Sequence, residues 1–205
     1  RYNPKLIINE RSGWEGDFQT NEGPHDVDGN IIPFRWEKNF SVGGSWAWQP
    51  TNKAMEFDHV MGLLINTFIR GGNALLNVTP DKDGVIPEDQ VQLFRRIGEW
   101  MKQNGESVYG TKGGPFQPVD NVYGSTYKGS SVYVHILDNE KFKGETLPAI
   151  PQKVLSCKTL SGEPVEFTQN EQGIKIHVPD GAQQPLDTIV KLELDSEVKE
   201  VLPPR

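Results

Sequence analysis

Residues Gly71–Thr111, GGNALLNVTPDKDGVIPEDQVQLFRRIGEWMKQNGESVYGT, decide the reading of this chain. Asn73–Thr79 has the length and apolar content of a buried strand. Pro80–Ile86 is rich in turn formers, Pro87–Asn104 carries helical spacing, and Ser107–Thr111 reads as a second short strand. The helix is well signed. Pro87 suits the first helical position, and Glu88 and Asp89 suit the positive end of the dipole. Val91, Phe94, Ile97 and Met101 form an apolar stripe, and Gly105 suits a left-handed stop. Strand, loop, helix, strand is one βα unit and the start of another, which points to a parallel sheet with helices outside it.

Upstream, Pro4–Asn9 is an apolar run fit for a buried parallel strand. Glu10–Pro33 follows as a long polar segment, a length that is rare in a compact fold unless the loop is functional. Trp36–Val42 is predicted to be the next strand. From about Lys53 to Arg70, Phe57, Val60, Leu64 and Phe68 recur at three- and four-residue steps, and Gly71 and Gly72 stop that helix. Downstream of Lys112 the helical spacing ends. Short alternating runs at Ser131–Leu137, Lys153–Thr159, Val165–Gln169, Gly173–Val178 and Thr188–Leu194 are separated by turn residues, the pattern of an antiparallel β-sandwich. The change falls near residues 112–116, dividing the chain into residues 1–112 and 113–205.

The wording of these segments resembles glycoside hydrolase family 29, the α-L-fucosidases. There a "GGN-LLLNV-P--DG-IP" strand and loop precedes a "GEW---NGE-IYGT" helix and strand. The segment IINERSGWEGDFQTNE (Ile7–Glu22) is similar to the family's "VNDRWG---DF-TPE". The resemblance is strongest over residues 6–22, 36–49 and 71–111, and only architectural in the sandwich. It implies an α/β plus all-β protein: the later part of a (β/α)8 TIM-like barrel, which needs eight such units to close, followed by an antiparallel β-sandwich. It further implies a retaining exo-glycosidase that removes terminal α-L-fucose from oligosaccharides or glycoconjugates, without metal or cofactor, in a periplasmic, secreted or lysosomal setting. The family's nucleophile is an aspartate in an earlier segment resembling "W-DG". No such segment occurs here, Trp14-Glu15-Gly16 lying in the wrong place, and the chain begins with Arg1. The expectation is a fragment that needs the N-terminal remainder of the same protein and is inactive alone.

Retaining hydrolysis also needs a carboxyl that protonates the leaving oxygen. The resemblance offers two, because its subgroups differ: Glu22 in the "DF-TPE" loop, and Glu37 in the segment resembling WEKNFSVGGSWAW. Glu37 is preferred, since Phe34, Trp36, Trp46 and Trp48 offer an apolar wall of the kind that raises a carboxyl pKa, whereas Glu22 precedes Gly23 and Pro24 in a polar loop. Glu15 is a remote third. Arg11 matches an arginine that contacts the sugar, and its forked donors suit ring hydroxyls. A pairing with an acid such as Asp17 is the plainer alternative. The flanking Glu10 and Ser12 depart from the family's Asp and aromatic residue, a loss of stacking for which Trp14 could compensate. Trp46 matches the aromatic residue beside the sugar's apolar face, against the alternative of a core tryptophan. Trp36 is assigned to the pocket rim or to the core, as is Trp48.

Other signals lead elsewhere or nowhere. The net charge of −7 and pI of about 5.2 give no basic patch for nucleic acid or an anionic membrane, and no apolar run is long enough to span one. Cys157 is alone, and His25, His59, His135 and His177 show no metal-ligand spacing. Asp81-Lys82-Asp83-Gly84 has its glycine too early for a calcium loop. Gly71-Gly72-Asn73 is no dinucleotide fingerprint. The sequons at Asn39 and Asn77 fall in predicted strands. Two further readings stay open: the same fold acting on α-L-galactose, which differs by one hydroxyl, and a non-catalytic carbohydrate-binding module.

Overall fold

A computed structural model of the chain describes residues 3, 5–143 and 145–199. Its first half is a parallel sheet of three strands in the order β1 (Gln19–Glu22), β2 (Trp36–Ser41), β3 (Asn73–Asn77). Helices α1 (Phe57–Ile69) and α2 (Glu88–Asn104) cover one face. Successive side chains of a strand point to opposite faces, and β2 alternates accordingly: Trp36, Lys38 and Phe40 are buried, while Glu37, Asn39 and Ser41 are only half-buried. Phe40 and Val42 join Val60, Leu63, Leu64, Leu93 and Ile97 in the core between sheet and helices. The register carries the alternation across the sheet. Glu37 lies beside Thr20 and Asn73, Asn39 beside Glu22 and Leu75, and Ser41 beside Asn77. The face away from the helices is therefore Thr20, Glu22, Glu37, Asn39, Ser41, Asn73 and Asn77, with Leu75 its one apolar member. A polar inner face on a parallel sheet fits the lining of a barrel, not a sheet layered between helices, which is apolar on both sides.

Several expectations change here. Pro4 lies outside the described residues, and the rest of the proposed strand Pro4–Asn9 forms only the bridge Asn9–Phe18. Among the described residues no element covers this apolar run, and Leu6 and Ile7 are 64% and 72% exposed. The polar segment Glu10–Pro33 contains a 3-10 turn at Glu10–Ser12 and the strand β1. The sequence QTNE has no apolar alternation, so β1 is set by pairing with β2 and not by local preference. The strand expected at Asn73–Thr79 is shorter and half-exposed. Pro87 is the N-cap of α2, not its first helical residue. Of the expected α2 stripe, Ile97 is buried along with Gln90 and Leu93, while Val91, Phe94 and Met101 are half-buried. Gly105 is right-handed and continues into a 3-10 turn at Gly105–Ser107, so no strand forms at Ser107–Thr111. A left-handed glycine comes only later, at Gly110.

The second half is antiparallel. Strands β4 (Lys112–Gly113), β5 (Tyr123–Lys128), β6 (Ser131–Ile136), β7 (Val154–Thr159) and β10 (Thr188–Leu194) form a sheet in the order β4-β5-β6-β10-β7. Strands β8 (Glu166–Asn170) and β9 (Gly173–His177) pair as a hairpin. Between the two sheets lies a core that includes Phe116, Tyr123, Tyr127, Val134, Phe142, Ile174 and Leu192. β5, YGSTYK, is not among the strands expected from the sequence, since between Tyr123 and Tyr127 it carries polar residues at buried positions. Its Thr126 hydroxyl donates to Ser107 O (2.6 Å) and stands 3.3 Å from His135 Nε2, while His135 Nδ1 lies 2.7 Å from Asp187. This buried chain ties the antiparallel half to the turn after α2. At the surface Glu106 does the same, accepting from Lys191 (2.6 Å) and Tyr133 (2.9 Å). Those two bonds hold the Glu106 carboxyl below its ordinary value.

Candidate active site

The polar face of the sheet gathers its functional groups where the strands end. Glu22 closes β1 and Ser41 closes β2, and Asn77 closes β3. The amide of Asn77 donates to Asn39 Oδ1 (2.7 Å), which fixes two side chains of adjacent strands beside Glu22. Arg11 reaches this end from the 3-10 turn that precedes β1. Its Nη2 is ion-paired with Glu22 Oε2, and its Nε donates to Thr20 Oγ1 (3.1 Å). Glu10 sets the base of that arrangement: its Oε1 accepts from the Thr20 hydroxyl (2.6 Å) and amide (2.9 Å). The same two bonds, the hydroxyl first, hold the Glu10 carboxyl below its ordinary value.

Trp46 arrives from the other side, on the loop after β2. Ser41 Oγ donates to Ser45 O (2.9 Å), Ser45 Oγ to Ala47 O, and Asn52 Nδ2 to Ser45 Oγ (2.9 Å), so the loop is shaped by its own polar side chains. It turns at Gly44, in the left-handed region at φ +78°. Gly43 sits so close to the segment after β3 that a Cβ there would lie 1.9 Å from Thr79 Oγ1. Thr79 is itself locked to the start of α2 through Gln90, whose Nε2 and Oε1 both bond it at 2.7 and 2.9 Å. Trp46 is left 84% exposed. It lines, with Glu22, Asn39, Ser41 and Asn77, a cleft of about 190 Å³. That is less than the roughly 300–1,000 Å³ of a typical ligand site, and only three strands supply its walls. A larger groove of about 690 Å³ on the β8–β9 hairpin is lined by Lys143, Glu145, Glu166, Lys175 and His177, and no arginine–carboxylate pair or exposed tryptophan belongs to it.

Glu22 and Trp46 thus line one cleft, Arg11 is paired with Glu22, and Glu37 lies on the same face beside Thr20. Glu37 faces the same side of the sheet but is the second residue of β2, beside Asn73 at the start of β3 and away from the strand ends. Of the four aromatic residues expected to wall it, one is turned away from it. Trp36 is on the opposite face, 2% exposed, with its Nε1 donating to Arg70 O (3.1 Å), so it belongs to the core and not to a pocket rim. Phe34 and Trp48 are half-buried, Trp14 and Glu15 are exposed, and none of these four lines the cleft. Asn39, Ser41, Asn77 and Glu10 were not singled out for the site. The polar alternation Glu37-Asn39-Ser41 within a strand of a parallel sheet was the signal that could have found two of them.

Known proteins share this arrangement of elements. Residues 2–106 match the family model described as alpha-L-fucosidase. The tissue alpha-L-fucosidase of Rattus norvegicus is 33% identical over 147 residues, 65% of this chain and 31% of the rat protein. An alpha-L-fucosidase of Dictyostelium discoideum is 32% identical over 114 residues, 52% of this chain and 24% of that protein. Among solved structures, a family 29 alpha-L-fucosidase from Bacteroides thetaiotaomicron, trapped as a covalent intermediate with 2-fluoro-fucosyl fluoride in a Glu-to-Gln variant, matches with a TM-score of 0.78. The match covers 94% of this chain and 50% of that one at 18% identity. The Thermotoga maritima alpha-fucosidase in complex with fucose matches with a TM-score of 0.72 over 92% and 45% of the two chains at 22% identity. This chain spans about a quarter to a third of these curated relatives and about half of these solved structures. The fold is the one expected, the later part of a (β/α)8 barrel followed by a β-sandwich. Matched by the family model over half of its length and sharing this fold, the chain belongs to the alpha-L-fucosidase family.

Proposed function

We propose that this chain is the acid/base-bearing part of a retaining exo-α-L-fucosidase, with residues 1–112 completing the barrel and 113–205 forming the sandwich. The observation that carries the reading is the convergence of Arg11, Glu22 and Trp46 at the C-terminal ends of parallel strands, where barrel enzymes build their sites. Glu22, and not Glu37, is the general acid/base. It is the carboxylate at the strand ends, half open to a cleft that a sugar can enter. In the first step Glu22 gives its proton to the glycosidic oxygen as the C1–O bond breaks and a carboxylate from outside this chain bonds C1. In the second step Glu22 takes a proton from water, whose oxygen displaces that carboxylate. Arg11, its Nε and Nη2 engaged by Thr20 and Glu22, offers Nη1 to a ring hydroxyl, and Trp46 covers the apolar face that carries the fucose methyl. The substrate is a fucosylated oligosaccharide or glycoconjugate.

The test is kinetic and uses the full-length enzyme with nitrophenyl glycosides. α-L-Fucoside is expected to be cleaved in preference to α-L-galactoside and other sugars. Glu22→Ala should cut turnover of unactivated disaccharides by about 10²–10⁴-fold while sparing substrates with good leaving groups. Glu37→Ala should show no such selectivity. The reverse result would return the acid/base role to Glu37, and a preference for α-L-galactoside would reassign the sugar. The 205-residue chain alone, without a nucleophile, should release no nitrophenol.

A further inference from the structure

We infer that Arg70 and Asp120 form a latch through which the β-sandwich positions the general acid, an inference that rests on the reading of Glu22 given above. The strands β2 and β3 are joined by a helix, but β1 and β2 are not. The connection Gly23–Arg35 leaves Glu22 and returns to β2 with no helix or strand of its own. Its hold must come from elsewhere. Val27 and Ile31 are buried, and the backbone between them is captured from outside the sheet.

Arg70 caps the C-terminal end of α1 with a side chain only 1% exposed. Its Nε donates to Gly29 O (3.1 Å), its Nη1 to Asn66 O (3.2 Å) and Asn66 Oδ1 (2.8 Å), and its Nη2 to Asp120 Oδ1 (2.5 Å). Asp120 Oδ1 also accepts from Gly29 N (3.0 Å). Gly29 is thus held at both its carbonyl and its amide by the same ion pair. A second sandwich residue, Gln117, accepts from Ile31 N (2.9 Å), and Arg70 O accepts from Ile32 N (3.3 Å). A buried guanidinium left without partners is costly, so these bonds stand or fall as a set. Burial works against the charge, and Asp120, Asp28 and Asp26 oppose that effect. Only an arginine fork can serve Gly29, Asn66 and Asp120 at once.

Neither Arg70 nor Asp120 lines the cleft around Glu22. Their action is on where Glu22 stands. A displacement of about 1 Å in a positioned group can cost on the order of 10²-fold in rate. Loosening the connection should therefore remove acid assistance in particular, not turnover in general.

The experiment uses the full-length enzyme and a series of aryl α-L-fucosides with leaving groups of increasing basicity. Asp120→Ala is the main variant, because its side chain is 45% exposed, and Arg70→Lys and Gln117→Ala support it. The expected result is a kcat/KM loss of about tenfold or more on the poorest leaving group and within about twofold on the best. Glu106→Ala serves as the control: it breaks a different tie between sandwich and helix layer and should leave the leaving-group dependence unchanged. Equal losses of Asp120→Ala activity across the series, or no loss, overturn the latch. Glu22→Ala separates the two failures. If it shows selective loss and Asp120→Ala does not, the latch alone is wrong. If Glu22→Ala shows none, the assignment of Glu22 fails and the latch falls with it.

Discussion

Two tryptophans ten residues apart should respond to alanine in opposite ways. Trp46 is 84% exposed and Trp36 2% exposed. A tryptophan offers about 150–250 Å² of surface. One ring face covered by a sugar is then on the order of 100 Å², worth about 2.5 kcal/mol at about 25 cal/mol per Å². Trp46→Ala should therefore lower kcat/KM for an α-L-fucoside by roughly 70-fold and change unfolding free energy by no more than about 0.5 kcal/mol. Trp36→Ala opens a cavity on the helix side of β2, where the indole packs so closely against Gly72 that a Cβ there would stand 2.5 Å from the ring. It also leaves Arg70 O without the indole N–H. That change should cost about 3–5 kcal/mol of stability. Urea unfolding of both variants, with kcat/KM measured at a temperature where each is folded, separates the two. A large stability loss in Trp46→Ala with kcat/KM unchanged would refute the assignment of Trp46 to the sugar pocket.

Other outcomes follow from the same geometry. Gly43→Ala should destabilise by at least about 1–3 kcal/mol, visible in the urea midpoint, because its Cβ would collide with Thr79 Oγ1 at 1.9 Å. It should also lower activity by shifting the Trp46 loop. Lys38 is fully buried on the helix side, with its ammonium donating to Asn21 Oδ1 (2.7 Å), and burial lowers its pKa from the ordinary lysine value while Asp26 opposes this. The unfolded chain then holds that proton more tightly, so stability rises with pH between the folded and unfolded values. The stability of Lys38→Met relative to the wild type should accordingly be greatest near neutral pH and fall as pH rises toward the ordinary lysine value, as read by urea titrations across that range. Glu106 has a lowered pKa, so its contribution is present above the ordinary glutamate value and fades as pH falls through the folded one. Glu106→Gln should cost no more than about 1 kcal/mol at neutral pH, and that difference should vanish in acid.

What was legible in the sequence was whatever rests on apolar periodicity or on backbone-specific residues. The helices at Phe57–Ile69 and Glu88–Asn104 and most of the sandwich strands carry that signal. β1 and β5 do not. Each is polar or mixed along its length and is held by pairing and by position within a sheet. Leu6 and Ile7 show the converse: the apolar run reads as a buried strand, and nothing among the described residues buries it. The site divides the same way. Arg11, Trp46 and both glutamates could be named from the wording of their segments. The proposal of Glu22 over Glu37 rests on register, because the pairing of Glu22 with Asn39 and of Glu37 with Asn73 sets their heights along the strands. Of the aromatic neighbours of Glu37 in sequence, Trp36 necessarily points to the other face of its strand.

The most direct test of Glu22 as acid/base is the product formed when azide rescues its removal. In the full-length enzyme, Glu22→Ala acting on an activated aryl α-L-fucoside should accumulate the fucosyl-enzyme, and azide should attack it without needing a general base. Two inversions at C1 then give α-L-fucosyl azide, identified by NMR, together with a rise in turnover, while Glu37→Ala gives neither. Appearance of α-L-fucosyl azide from Glu37→Ala and not from Glu22→Ala would contradict the account.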